Sequence, residues 1–541
     1  MVTTNGHFAP TALDNANGIS KSMSAMTTAH TTPVAVNGAS SAASESTSSS
    51  SPSPGSSPAS TRQSRPSLHG RKVSSPLAPA FMVSAPGKVI VYGEHAVVYG
   101  KAAMAAAISL RSYLLVTTLS KSHRTITLNF RDISLNHTWN IDELPWDAFS
   151  HPLRKKRYYD HVTTLDPELV AAMQPQIDQV SRNSPLTEQK IHQASAAAFL
   201  YLFLSLGNKN SPACVYTLRS TIPIGAGLGS SASTSVCLAA ALLMQARALS
   251  GPHPDQMKEE AEKQIERINS WAFVGEMLIH GNPSGVDNAV ASGGKAVLFK
   301  REDYNKPPMV KPLVSFPELP LLLVDTRQAK STAAEVAKVA HLKKKQPLIA
   351  NHILDAIDNV TESAHELISA PDFDQTDAAS ITRLGQLASI NHGLLVSLGV
   401  SHPRIERLRQ LVDESGVGWT KLTGAGGGGC TFTILKPEDS ATTDVHTDST
   451  KKRPRRGQAL KDLEAQLETE GFEKFETTLG GDGVGVLWPA VLYNGTDEPG
   501  GEEIDQEKFV AAVDREGVER LVGVAADEPG ATREGWKFWR L

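Results

Sequence analysis

The residues best suited to chemistry gather in a few short segments, three of them rich in glycine. Pro223-Ile224-Gly225-Ala226-Gly227-Leu228-Gly229-Ser230-Ser231-Ala232 lies between a predicted strand and a long apolar helix starting at Ser230. Glycines let the backbone curl so that successive amides turn inward. The helix start adds unpaired N–H groups and a positive dipole end, and together these favour a bound anion such as phosphate. A helix cap with flexible glycines ahead of it is the structural alternative. Two cofactor motifs fit less well. Gly227 to Ala232 spells G-x-G-x-x-A, but Arg247 to Pro252, roughly 20 positions on, offers no acid for a ribose and reads as helix and turn. The pattern G-x-x-x-x-G-K-[ST] fails because no lysine follows the glycines.

The second segment is Ala85-Pro86-Gly87-Lys88, running on to Gly93-Glu94-His95. The third, Lys421-Leu422-Thr423-Gly424-Ala425-Gly426-Gly427-Gly428-Gly429-Cys430, is a turn between strands with almost no side chains, which suits close backbone approach to a ligand or another loop. Between them, Glu276 to Asn288 contains a helix end, an Asn-Pro-Ser-Gly turn and two carboxylates, Glu276 and Asp287. Singly, each part has a structural reading: a solvated lysine, a packed histidine, a capping aspartate. Together they fit phosphoryl transfer to an alcohol, which needs a phosphate cradle, a hard cation on oxygen ligands, a group that receives the hydroxyl proton and a charge that stabilises the transferring group. Ser230 and Ser231 stand where a hydroxyl reaches Mg²⁺, Glu276 completes the metal site, Asp287 takes the proton, and Lys88 stabilises Asp287 and the developing charge.

These segments need a scaffold of mixed type. Phe81 to Ser84, Val89 to Tyr92, Tyr113 to Leu119 and Thr125 to Phe130 read as strands. Glu188 to Leu206, Ser230 to Leu249 and Gln256 to Ile279 read as helices around a strand at Ala213 to Arg219. A second half begins near Lys295. It has strands at Lys295 to Phe299 and Leu319 to Asp325, helical patterns from Ser331 to Val412, a strand, glycine run and strand from Trp419 to Leu435, and a helix at Gln458 to Thr469. Without regular strand and helix alternation, the class is α+β. Residues 1–79 are read as a disordered Ser/Pro-rich extension, 80–294 as an N-terminal domain carrying the phosphate cradle, 295–490 as a C-terminal domain with a mobile insertion at about 437–457, and 491–541 as a tail whose Trp536-Lys537-Phe538-Trp539 docks on the body.

Composition narrows the function further. The 541 residues carry 53 Lys and Arg against 57 Asp and Glu, a net charge of -4, which lacks the basic field of a nucleic-acid backbone reader. The longest apolar run, Ala194 to Leu206, is too short for a membrane span and reads as a buried helix. Cys214, Cys237 and Cys430 form neither a disulfide framework nor a zinc pattern and suit a reducing compartment, so a cytoplasmic protein is expected.

The three glycine segments together resemble, over about residues 80 to 490, the small-molecule kinases named for galactokinase, homoserine kinase, mevalonate kinase and phosphomevalonate kinase, the GHMP kinases. APGKVIVYGEHAVVYG, IHGNPSGVDNAV and KLTGAGGGGC are similar to the mevalonate kinases among them, whereas galactokinases have Arg where Lys88 stands. The resemblance implies a two-domain fold, ribosomal-S5-like in its N-terminal half and ferredoxin-like in its C-terminal half, with the site between. It also implies ATP-dependent phosphorylation of (R)-mevalonate to 5-phosphomevalonate in isoprenoid and sterol synthesis.

By the family's motifs, Gly225, Ala226, Gly227, Leu228, Gly229, Ser230 and Ser231 hold the triphosphate with help from Ser220. Ser231 and Glu276 bind Mg²⁺, Asp287 is the base and Lys88 its partner. Glu94, His95, Lys330 and Thr332 face mevalonate, Lys330 replacing an Arg usual in animal members. A Tyr common after the Ser-Ser-Ala turn is Thr234 here. A homodimer and inhibition by prenyl diphosphates competing with ATP are further expectations. Phosphomevalonate kinase, and a non-catalytic ATP or metabolite sensor on the same fold, are the alternatives; retention of Lys88, Ser231, Glu276 and Asp287 speaks against the sensor.

Overall fold

A computed structural model describes residues 78–152, 154–302, 308–437, 456–492, 501–524 and 534–541. The expected disordered extension up to residue 77 and insertion residues 438–455 lie outside them. Strands β1 (Phe81–Tyr92), β2 (Ala102–Thr118), β3 (Thr125–Phe130), β4 (Leu135–Asn140) and β5 (Cys214–Ser220) come first, followed by β6 (Ala296–Lys300) and β7 (Met309–Leu313). Next are β8 (Leu319–Asp325), β9 (Gly418–Leu422), β10 (Cys430–Leu435) and β11 (Glu473–Leu479). Short strands β12 (Gly485–Leu487), β13 (Val491–Leu492), β14 (Glu502–Glu503) and β15 (Lys537–Phe538) finish the chain.

β2 is the spine of the first ladder. It pairs antiparallel with β1 along most of its length, with β6 along its first part and with β5 along its second. β3 runs parallel to β5, and β4, β7, β12 and β15 extend the edges. The second ladder, β11-β8-β10-β9, is antiparallel throughout and joins the first where Leu479 pairs with Ile108.

Helices cover these ladders: α1 (Pro167–Ile177), α2 (Leu186–Leu206), α3 (Ser230–Gln245), α4 (Lys258–His280) and α5 (Val286–Gly293) on the first. α6 (Thr332–Lys345), α7 (Pro347–Ser369), α8 (Ala378–Ser397), α9 (Pro403–Ser415) and α10 (Arg456–Thr469) belong to the second half, and α11 (Gln506–Ala511) and α12 (Asp514–Leu521) to the tail. The mixture is α+β, as expected, and the helical stretch from Ser331 to Val412 resolves into α6 to α9. Ala194 to Leu206 is a core helix segment, with Phe199, Phe203 and Leu204 in the same buried cluster as Leu242 and Trp271. Among the described residues no helix is long and apolar enough to cross a membrane.

Two departures from the expected strands matter for the site. Phe81 to Ser84 and Val89 to Tyr92 are one strand, its register shifting between Pro86 and Lys88 and again between Ile90 and Tyr92. Gly87 sits in the first shift, where an added Cβ would stand 2.9 Å from the carbonyl oxygen of Leu228. β2 begins at Ala102, eleven residues before the expected Tyr113. Its alanine-rich start favours helix in isolation. Tertiary packing overrides that preference, because Ala105 and Ala107 make a thin layer under Val290 of α5.

The tail docks through its aromatics. Trp539 is buried and donates its Nε1–H to Gln264 Oε1 at 2.9 Å, and Phe538 lies 5.2 Å from the Arg111 guanidinium. Arg219, at the end of β5, donates to the carbonyls of Phe509, Val510 and Ala512.

Candidate active site

Two alternate residues of β1 hold two of the glycine segments. The Lys88 N–H donates to Leu228 O at 2.8 Å, and its ammonium donates to Gly227 O at 3.2 Å. Two residues on, Ile90 N–H donates to Thr423 Oγ1 at 3.0 Å, and the Thr423 hydroxyl donates back to Ile90 O at 2.9 Å. Lys88 Nζ also lies 3.3 Å from Asp287 Oδ1 in the first turn of α5. The bulges of β1 turn these groups out of a regular ladder, a common device beside functional sites.

The turn before α3 is built as an anion cradle. Gly225, Gly227 and Gly229 take φ of 76°, 81° and 77°, while Ala226 and Leu228 between them are buried. Gly229 is the helix N-cap and brings no side chain to the first amides, so those donors remain for a ligand. A Cβ there would stand 3.1 Å from Lys88 Cγ and 3.7 Å from Asp287 Oδ2, which measures how close turn, lysine and aspartate are.

Ser231 Oγ lies 3.3 Å from Glu276 Oε2, and Ser235 Oγ lies 3.4 Å from Oε1. Burial, and then the Asp287 charge, push the Glu276 carboxyl up to about 8. Among the described residues no three His, Cys, Asp or Glu side chains form a metal cluster. Mg²⁺ does not need one, since it is held by one or two protein oxygens plus phosphate and water. A buried carboxyl group partnered by two hydroxyls, its pKa raised by burial and by the Asp287 charge, fits a hard divalent cation.

His280 escaped the sequence reading: its Nε2 lies 2.9 Å from Ser231 Oγ. It is one helical turn beyond Glu276 on α4, and that spacing of four was the available signal.

Lys330 stands between two glycine segments. Its Nζ would lie 3.4 Å from a Cβ at Gly227, 3.7 Å from one at Gly424 and 2.5 Å from one at Gly429. Burial lowers its pKa, and the charge of Lys88 lowers it further. Two ammonium groups thus flank the Gly227 turn, an arrangement that suits a polyanion.

The remaining expected site residues are engaged in other ways. Glu94 is buried against Lys421 and Asn391. His95, at φ 61° and also buried, holds Ala425 O at 2.9 Å through Nε2, and burial lowers its pKa. The Ser220 hydroxyl accepts from Ile222 N–H at 3.2 Å and shapes the entry to the cradle. Ser230 is half-buried at the start of α3, and Thr332 opens α6 in an exposed position. The contacts that join Lys88, the Gly227–Gly229 turn, Asp287, Ser231, Glu276 and Lys330 do not include Ser220, Glu94 or Thr332. A cavity of about 400 Å³ beside Lys295, Phe316 and Phe373 is lined by none of these groups.

Residues 194–294 match the GHMP kinases N terminal domain, and residues 373–446 match the GHMP kinases C terminal family. The chain is 67% identical over 470 residues to a mevalonate kinase of Aspergillus fumigatus, covering 87% of this chain and 84% of that one. It is 40% identical over 464 residues to a mevalonate kinase of Candida albicans, covering 85% and 99%. Among solved structures, the Methanococcus jannaschii mevalonate kinase aligns with a TM-score of 0.50 at 21% identity, over 74% of this chain and 98% of that one. The mevalonate kinase of L. major in complex with R-mevalonate aligns with a TM-score of 0.50 at 22% identity, over 75% and 99%. These two show the shared fold.

Proposed function

Because the chain belongs to the mevalonate kinases, a branch of the GHMP kinases, we propose that the Lys88–Asp287 site transfers the terminal phosphoryl group of ATP to the primary alcohol of (R)-mevalonate. The products are 5-phosphomevalonate and ADP, placing the protein in isoprenoid and sterol synthesis. The observation that carries the residue roles is the 3.3 Å approach of Lys88 Nζ to Asp287 Oδ1 beside the Gly227 carbonyl.

In this reading the amides from Gly225 to Ser231 bind the nucleotide phosphates and orient the terminal phosphorus toward the acceptor. Asp287 Oδ1 or Oδ2 takes the hydroxyl proton, with the ammonium of Lys88 beside it. Lys88 and Lys330 then offset the charge that spreads over the transferring group. Ser231 and Glu276 would hold Mg²⁺, which supplies charge neutralisation to the phosphates when bound. His95 and Lys330 would face mevalonate, Lys330 as partner of its carboxylate, with Thr332 on the same side. Ser220 would act on the nucleotide through the entry to the turn.

The division near residue 294 into nucleotide-binding and C-terminal halves, a homodimer, and inhibition by prenyl diphosphates at the nucleotide cradle belong to the same proposal. So does a cytosolic location, for which the three buried free thiols are suited. A coupled ADP-release assay tests the central claim. Turnover with mevalonate, and not with homoserine, galactose or 5-phosphomevalonate, is expected; preference for 5-phosphomevalonate would overturn it.

A further inference from the structure

Building on the reading above, we infer that Glu94 does not touch the acceptor: with Lys421 and Asn391 it forms a buried anchor that positions His95 and the Gly424–Gly429 loop around mevalonate.

Both carboxylate oxygens of Glu94 are already engaged. Lys421 Nζ pairs with Oε1, and Asn391 Nδ2 donates to Oε2 at 2.8 Å. The Glu94 residue is 1% exposed and Lys421 is 0% exposed, so neither charge has a path to a ligand. Lys421 completes its shell with Leu422 O at 2.8 Å and with the Phe432 ring, 5.0 Å away. A buried ion pair contributes little stability beyond what well-packed apolar residues would give, because two charges must leave water. Its distinctive effect is on registry, since each group must find its one partner.

The registry set here concerns the acceptor side. Glu94 follows β1, Asn391 lies in α8 and Lys421 in β9. Each has a residue one or two positions on that grips the loop or its stem. His95 holds Ala425 O, His392 Nδ1 accepts from Leu422 N–H at 3.2 Å, and Thr423 is clamped to Ile90. His95 moreover keeps a positive φ of 61°, a conformation that persists in a non-glycine residue only when its surroundings hold it there. The phosphate turn hangs instead on Lys88 and α3, outside the anchor. Disturbing the anchor should therefore weaken mevalonate binding and leave ATP binding nearly unchanged.

The test compares wild type with Lys421→Met, Glu94→Gln, the double substitution and Asn391→Ala in the full chain, measuring both KM values, kcat and thermal unfolding. Each single charge removal should raise the mevalonate KM by about 10-fold or more with the ATP KM within about 3-fold, because it strands one buried charge. The double substitution removes both charges and retains an acceptor for Asn391, so its mevalonate KM should return to within about 3-fold of wild type. Asn391→Ala should raise the mevalonate KM by about 3-fold to 10-fold.

A double variant that folds but stays as impaired as Glu94→Gln would mean that Glu94 or Lys421 touches substrate, and would overturn the anchor. Folded single variants with an unchanged mevalonate KM would overturn it too. If the singles do not fold, the double variant and Asn391→Ala decide by the same criteria. Wild type inactive on mevalonate would instead refute the functional reading, and this inference with it.

Discussion

Ile90 and Thr423 hold each other through a reciprocal pair of hydrogen bonds, 3.0 and 2.9 Å long, that stitches the lysine strand to the stem of the four-glycine loop. Valine is nearly isosteric with threonine but can neither donate nor accept there. Thr423→Val should lower the unfolding free energy by about 2–6 kcal/mol, since two half-buried backbone groups lose partners at about 1–3 kcal/mol each. It should also lower kcat/KM by letting Lys88 and the loop drift apart. Urea unfolding and steady-state kinetics check both, and an unchanged urea midpoint would show that the clamp is energetically idle.

Asp287 is the group proposed to receive the acceptor proton. Asp287→Ala should reduce kcat by about 10²-fold or more, the lower range for loss of a general base, while ATP binding is largely retained. Near-normal turnover would remove Asp287 from the chemistry.

Glu276 is the carboxylate proposed for the cation. Glu276→Gln should raise the half-saturating Mg²⁺ concentration by about 10-fold, as loss of one charged oxygen ligand does at a site with few protein ligands. Unchanged metal dependence would point to another ligand.

The same carboxyl makes cation-free stability depend on pH. Its folded-state value is about 8 against an ordinary 4.5, so between those limits the folded protein keeps a proton that the unfolded chain has released. That contribution is complete below pH 4.5 and is lost as pH rises toward 8. Glu276→Gln should flatten this decline, so that without Mg²⁺ the variant gains on wild type as pH is raised from 5 to 8. Thermal unfolding with a chelator present checks the sign, and parallel profiles for the two proteins would refute it.

The tail should matter to stability as much as a core segment does. Trp539 is 1% exposed and bonded to Gln264, so Trp539→Ala should destabilise by about 3–5 kcal/mol, the usual cost of emptying a large aromatic site. A loss below about 1 kcal/mol in urea unfolding would show that the tail merely rests on the surface.

Much of this protein follows from local chemistry that a linear chain displays. The Gly225–Gly229 turn, the Ser230 helix start, the Asn282-Pro283-Ser284-Gly285 turn ahead of Asp287 and the β9–β10 hairpin depend on glycine φ, helix ends and turn residues close in sequence, so sequence alone specified them. The site's chemical types, lysine, two carboxylates and serines beside an anion cradle, were legible for the same reason.

Partnership was settled only by folding. Glu94 carries a motif letter that suggests a ligand, yet its partner Lys421 lies 327 positions away, and only packing decides which buried cation meets which buried anion. Lys330 is brought between two glycine segments, and the alanines of Ala102–Ala107 become a strand, because neighbouring elements leave them no other surface to cover. Backbone geometry is encoded over a few residues, whereas desolvation and pairing act between residues that meet only in the finished fold.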